Sequence, residues 1–364
     1  MKKRLIFHAK QLFKMCLQNI VLPTVYGFWQ CVFFGREKTL IVCADSHHED
    51  MPFSMAFMHK ALVEKGYPVI TDISNYAKLS ALGSALRAIR FMKLYARARV
   101  VFICDSFLPV ISCRKSKKTT VVQLMHSCGL GKKIGYDTTE DIPKGYRGFV
   151  YRNYDLVTVT SPACVGPIAG AMRHDHNVVR SIGSSRSDFY FDPQWREECR
   201  ARFFAAYPQA AGKKIILWAP TFRGNAGDPR QVGLEQLQTL EAQLGDGYYL
   251  IKKVHPHVDT HYHLSNCSIL TEELLPVVDL MITDYSSIVA DFMLFDKPYV
   301  LFAPDLEEYT QTRGLYVDYP TLSPYLITDG AQLAEAVKTA LRLPCQEWVR
   351  KNREFHISAC DGHS

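Results

Sequence analysis

The sequence contains no C-x-x-C pair. Its 11 cysteines, among them Cys16, Cys43, Cys104, Cys128 and Cys360, stand singly. An odd, unpatterned set excludes a disulfide scaffold or zinc ribbon and reads as reduced cytosolic thiols serving as small apolar residues. No D-x-D occurs, the pattern that holds a divalent ion against a nucleotide diphosphate. No G-x-x-x-x-G-K-[ST] loop occurs either, since "GLGKK" (129–133) is too short and lacks the hydroxyl residue. No G-x-G-x-x-G follows the first strand, which weakens a dinucleotide-binding reading. Repeats, low-complexity tracts, zinc fingers and RNA-binding signatures are missing as well. A net charge of +7 is too mild to imply nucleic acid, and it suits an anionic ligand or membrane surface.

What is present is a chain of 364 residues, 48% of them hydrophobic, enough for two domains with real cores. Lys2, Lys3, Arg4, Lys10 and Lys14 precede an uncharged stretch, Met15 to Gly35, rich in Leu, Val, Phe and Trp. Its length could span a bilayer, but Gln18, Asn19, Pro23, Gly27 and Gln30 interrupt it, and no small-residue cleavage site stands out. A span with its basic end inside would also export everything after it. The preferred reading is a basic, aromatic segment lying in the inner leaflet's interface. Packing on the protein itself and a spanning or signal-like segment are the alternatives.

From residue 36 onward, short apolar runs alternate with helical periodicity. "TLIVCAD", "YPVITDI", "RVVFICD", "KTTVVQLMH" and "YDLVTVTS" read as buried strands of one parallel sheet. "KKIILWAPT", "GYYLIKKVHPH", "DLMITDYSS" and "KPYVLFAPD" read as strands of a second. The expected architecture is α/β, with two doubly wound Rossmann-like domains. The expected boundaries are a membrane-associating segment at 1–35, a first domain at 36–195 and a second at 196–364.

In open parallel sheets, ligands sit beyond the carboxyl ends of the strands. The polar clusters fall there. His126 ends one run, as either a catalytic base or an ordinary loop histidine. Thr221 and Arg223 end another, His255 and His257 a third, and Asp284, Ser286 and Ser287 a fourth. Ser286 and Ser287 open a helix whose free N–H groups could cradle a phosphate, or they simply cap it. His255 and His257 could ligate a metal, but no third ligand is evident, so donation to a pyrophosphate is preferred and no metal is expected. "RSIGSSRSD" reads as a turn.

Taken in order, "QLMHSCGLGKKIG", "WAPTFR", "KKVHPH", "VVDLMITDYSSIVADFMLFDKPYVLFAPD" and "YTQTRGLYVDY" resemble the CDP-glycerol glycerophosphotransferases, the teichoic-acid and capsule primases and polymerases. The resemblance covers roughly residues 119–320. It implies a GT-B fold with a cleft between facing domains, a CDP-activated donor held mainly by the second domain, and no cofactor. It implies peripheral, monotopic attachment to the cytoplasmic face of the membrane. Partners would be CDP-glycerol or CDP-ribitol, an undecaprenyl-diphosphate-linked glycan acceptor and anionic inner-leaflet lipids, with a homo-oligomer compatible and nucleic acid not expected. His126 would be the base and His255 would lie at the donor pyrophosphate. Arg223, Ser286, Ser287 and Arg313 would line the donor phosphates, and Thr221, His257 and Asp284 join them as candidates from their place at the strand ends. Lys132 and Lys133 would add positive charge for an anionic acceptor. The chain departs from the family in carrying Met125-His126-Ser127 where relatives have H-G-T or W-H-A, and "EFHISACDGHS" stops where relatives continue. The expected reaction is transfer of glycerol phosphate with release of CMP, without a metal. Ribitol phosphate transfer, a nucleotide-sugar glycosyltransferase and a non-catalytic binding protein are the alternatives.

Overall fold

The computed structural model describes residues 2–225, 228–255, 258–259, 262–343 and 347–364. The chain divides into two compact units. The first comprises Met1–His126, Ile134–Asp188 and His363–Ser364; the second comprises Ser127–Lys133 and Phe189–Gly362.

The first unit is built on a six-stranded sheet. Its strands are β1 (Leu40–Asp45), β2 (Val69–Ile73), β3 (Ala98–Ile103), β4 (Thr120–Gln123), β5 (Leu156–Val159) and β6 (Val179–Ser181), in the order β2-β1-β3-β4-β5-β6. Every pairing is parallel. The runs are β-branched and apolar because both faces are covered by helices. Cys43, Met55, Cys104, Val122 and Leu124 form one buried cluster, so these thiols do serve as small core residues.

The uncharged N-terminal stretch is helical and packs on this unit. Helix α1 (Lys2–Cys16) passes through a π-turn at Leu17–Val21 into α2 (Leu22–Val32). The inner face buries Leu17, Leu22 and Tyr26. Buried Gln18 donates Nε2 to the carbonyl of Phe149, and Gln30 donates to that of Ala96. Polar interruptions that argued against a bilayer span thus find backbone partners within the unit. No described helix is long and apolar enough to cross a membrane.

The second unit carries a five-stranded parallel sheet. Its strands are β7 (Lys214–Trp218), β10 (Tyr248–Lys252), β11 (Leu280–Thr283), β12 (Tyr299–Phe302) and β13 (Leu326–Ile327), in the order β10-β7-β11-β12-β13. A short antiparallel ribbon, β8 (Arg223–Asn225) with β9 (Asp228–Arg230), follows β7. Ile216, Trp218, Leu240, Ile282, Phe302 and Val337 belong to its core. Each such side chain contributes roughly 1.5–3 kcal/mol by leaving water.

Both sheets share one topological feature. After β1 the chain adds β2 on one side, then crosses to place β3 on the other. After β7 it adds β10 on one side, then places β11 on the other. Between β1 and β3, and between β7 and β11, loops leave in opposite directions and open a crevice at the carboxyl edge.

Candidate active site

At the first crevice, β1 ends in Asp45, and Asp105 and His126 follow shortly after the ends of β3 and β4. Strands β3 and β4 pair with Ile103 opposite Gln123, so the residues just beyond them emerge side by side. The Asp105 carboxylate lies 2.9 Å from His126 Nδ1. Its own burial would raise its pKa, but the nearby His126 charge and hydrogen bond more than offset this and hold it below the usual carboxylate value. The His126 ring is open to solvent, its side chain 57% exposed.

His126 is not at the strand end itself. Strand β4 stops at Gln123, and Met125 adopts a left-handed conformation with φ 58°. That geometry costs a non-glycine residue about 1–2 kcal/mol, so its surroundings must enforce it. Buried Gln123 supplies part of this. Its Oε1 accepts from the Met125 N–H at 3.1 Å, and its Nε2 donates to the Asp105 carbonyl at 3.2 Å. Arg186 supplies the rest by donating Nη1 to the His126 carbonyl. The stretch expected to be a simple turn, "RSIGSSRSD", therefore contains the end of β6 and a short helix, Ser185–Asp188, that braces the histidine.

Asp45 completes the cluster. Its Oδ2 accepts from the backbone N–H groups of His47 and His48, both at 2.7 Å, and lies 3.0 Å from His48 Nδ1. Burial would raise the Asp45 pKa, but these bonds drive it far below the ordinary range, and hydrogen bonding to Asp45 in turn raises both imidazoles. Asp45, Cys104 and Asp105 bring three potential ligand atoms within 4.8 Å of one another. Burial pushes the Cys104 thiol up, and its Sγ donates to Asp45 at 3.6 Å. Within the trio Cys104 thus bonds Asp45, while Asp105 turns to His126.

At the second crevice, Thr221, Arg223 and Asp284 do come together, with Asp305 and Tyr285. Arg223 grips Asp305 with two bonds, Nε to Oδ2 at 2.7 Å and Nη2 to Oδ1 at 3.0 Å. Nη2 also reaches Asp284 Oδ2 at 3.0 Å, and Nη1 donates to the Thr221 carbonyl at 2.6 Å. The other Asp284 oxygen accepts from the Thr221 N–H at 2.6 Å. Tyr285 donates to Asp305 and stacks on Tyr309 with ring centroids 3.6 Å apart. The Arg223 guanidinium lies 4.9 Å from both ring centroids.

This arrangement gives three of the expected donor-phosphate residues a structural role. Arg223 is 12% exposed and its guanidinium is taken up by two carboxylates and a carbonyl. Asp284 and the Thr221 backbone are likewise spent on tying β7 to β11. Burial tends to raise Asp284, and Arg223 opposes it; the same pairing keeps Asp305 below the usual carboxylate value despite its burial.

Ser286 and Ser287 follow directly, before the helix Ile288–Met293. Ser287 occupies the N-cap position, yet its side chain makes no capping bond. For Ser287 the capping alternative is therefore not met. His255 is exposed and lies against Phe222, ring centroids 4.6 Å apart, while its carbonyl accepts from Val258 and Asp259 N–H. His257 lies outside the described residues.

Lys132, Lys133 and Arg313 meet in the second unit. Lys132 bridges Leu315 antiparallel, Lys133 N–H donates to Gly314 O at 2.9 Å, and Tyr316 N–H donates to Gly131 O at 2.8 Å. Arg313 Nε donates to the Lys133 carbonyl at 3.2 Å. Gly129 is held too: a Cβ there would sit 2.8 Å from Ala290 Cβ, and its φ is +68°. The Leu130 N–H donates to buried His356 Nδ1 at 3.1 Å. "GLGKK" and "RGLY", 180 residues apart, thus form one piece of structure.

A family model described as CDP-Glycerol:Poly(glycerophosphate) glycerophosphotransferase matches residues 39–360. The chain belongs to this family. It is 30% identical over 259 residues to the teichoic acid ribitol-phosphate primase of Bacillus spizizenii, covering 64% of this chain and 64% of that one. It is also 30% identical over 256 residues to the teichoic acid glycerol-phosphate primase of Bacillus subtilis, covering 66% and 64%. Both matches span just under two thirds of the relative's length. The solved structure of the wall teichoic acid polymerase TagF aligns over 97% of this chain and 94% of its own, with a TM-score of 0.70 at 20% identity. That likeness establishes a GT-B-type fold.

Asp105, Asp45, His47, His48, Asp305 and Arg186 were not anticipated from sequence. The rule that identified His126 also points to Asp105, because "RVVFICD" and "VVQLMH" are both apolar runs ending in a polar group. Asp305, at the end of "KPYVLFAPD", carries the same signal. Arg186 carries none, because its role depends on where β6 returns to the sheet.

Proposed function

We propose that this protein transfers glycerol phosphate from CDP-glycerol to a hydroxyl of a lipid-linked teichoic-acid or capsule-type acceptor, releasing CMP. The observation that carries the reading is the His126–Asp105 pair, an open imidazole backed by a half-buried carboxylate beside a topological switch point. The acceptor oxygen attacks the phosphorus that bears glycerol, and the anhydride bond to CMP breaks. The acceptor proton passes to His126, and Asp105 stabilises the imidazolium that forms. Ser286, Ser287 and His255 receive the donor diphosphate. Arg223, Asp284 and Thr221 hold that strand end rigid, and no metal takes part. The basic side chains of Lys132 and Lys133 favour an anionic acceptor.

Ribitol phosphate is the rival donor, since primases named for either polyol are each 30% identical to this chain. Incubating the full chain with CDP-glycerol or CDP-ribitol and a lipid-linked disaccharide, with and without EDTA, separates the readings by product mass. CDP-glycerol should add glycerol phosphate units with EDTA present. Absence of CMP release with both donors would refute the proposal.

The N-terminal helices would seat the enzyme on the cytoplasmic face of the membrane. Phe13, Ile20, Phe28 and Phe34 point outward, Phe34 with 89% of its surface exposed. Arg36 and Arg97 lie over the Phe33 ring and Lys93 over Trp29. Apolar side chains ringed by cations suit an anionic lipid interface.

A further inference from the structure

We propose that Asp105 is the positioning residue of the base: it holds the His126 ring with Nδ1 as the N–H donor, so that Nε2 is the atom that accepts the proton. The inference rests on the reading of His126 as base and adds to it the tautomer and the residue that sets it. The Nδ1–Oδ1 distance of 2.9 Å is that of a hydrogen bond, and an ionised carboxylate can only accept. In a neutral ring the proton must then reside on Nδ1, which leaves the lone pair on Nε2.

Three further features make the pair a built arrangement. Gln123 bridges the two strand ends, bonding the Asp105 carbonyl on one side and the Met125 N–H on the other. Met125 is held left-handed, and the chain accepts that cost to swing the next residue toward β3. Asp45, the other carboxylate nearby, is already occupied by His47, His48 and Cys104. Asp105 is therefore the partner left to His126.

The test uses the full chain with 15N-labelled histidine, assigning the His126 signals by their loss in His126→Gln. Long-range proton–nitrogen correlation spectra report which ring nitrogen carries hydrogen. In the native chain His126 should show a protonated Nδ1 and an aprotic Nε2. Asp105→Asn can turn its amide N–H toward the ring and should populate the opposite tautomer. Its kcat should fall roughly 10²–10⁴-fold, as loss of an orienting carboxylate does elsewhere, with the donor KM little changed. In a His126→Gln background the same substitution should cost nothing more, because it acts only through the ring. Asp105→Glu, whose carboxylate can still accept from Nδ1, should restore the native tautomer in part and controls for misfolding.

An unchanged tautomer in Asp105→Asn would overturn the inference, whatever happens to the rate. An altered tautomer with full activity would leave Asp105 as the group that orients His126 and would instead refute His126 as the base.

Discussion

Arg223→Ala tests whether the guanidinium is an architectural group or a phosphate donor. The substitution removes the cation that lies between Asp284 and Asp305 while leaving both carboxylates in place. Breaking a buried pair by deleting one partner costs about 3–5 kcal/mol, chiefly because the remaining charge is stranded. For a unit of this size about 1 kcal/mol corresponds to ~2–4 °C. The second unit should therefore melt roughly 6–20 °C lower at neutral pH in a calorimetric scan. The difference should shrink on acidification. Asp305 has a depressed folded-state pKa, so its contribution to the native protein is present above the unfolded value, ~3.9, and is lost as pH falls through the folded value. Asp284, raised by burial, costs stability while ionised. In the variant that cost grows and acid relieves it. Both groups act in the same direction, so the gap between native and variant should narrow below about pH 5. Adding Asp284→Asn and Asp305→Asn to the variant should recover part of the loss at pH 7. A variant that melts with the native protein yet no longer binds CDP-glycerol would refute the reasoning and return Arg223 to the donor phosphates.

Three other outcomes can be checked separately. His126→Ala should lower turnover roughly 10²–10⁴-fold while CDP-glycerol binding, followed by titration calorimetry, survives. Gly129→Ala should destabilise the second unit by about 1–3 kcal/mol in urea melts, since it combines positive φ with a 2.8 Å approach to Ala290. His356 is buried and burial pushes its pKa down to about 4. The unfolded chain takes up that proton first, so native stability should fall between about pH 6.5 and 4, by up to about 3 kcal/mol. Denaturation of His356→Gln across that range should show a flatter pH dependence.

Much of the fold was legible because a buried parallel strand needs an uninterrupted β-branched run. "TLIVCAD", "RVVFICD" and "KKIILWAPT" could form little else, and their spacing by amphipathic helices requires parallel sheets. The polar residue at the end of each run marks the sheet edge where ligands bind, which is how His126, Thr221 and Asp284 became candidates. Family membership was legible in the same blocks.

The tertiary structure decided which strand ends are neighbours. Periodicity reports which face of a strand is buried, but not which strand lies beside it. That order depends on how helices pack over the whole sheet. Asp105 became the partner of His126 only when β3 lay against β4. Arg223 became a holder of carboxylates, with Asp284 61 and Asp305 82 residues along the chain, only when β7, β11 and β12 assembled in that order. The lysines of "GLGKK" found their place against "RGLY" through backbone hydrogen bonds, which every residue but proline can donate and which therefore leave no mark in the sequence.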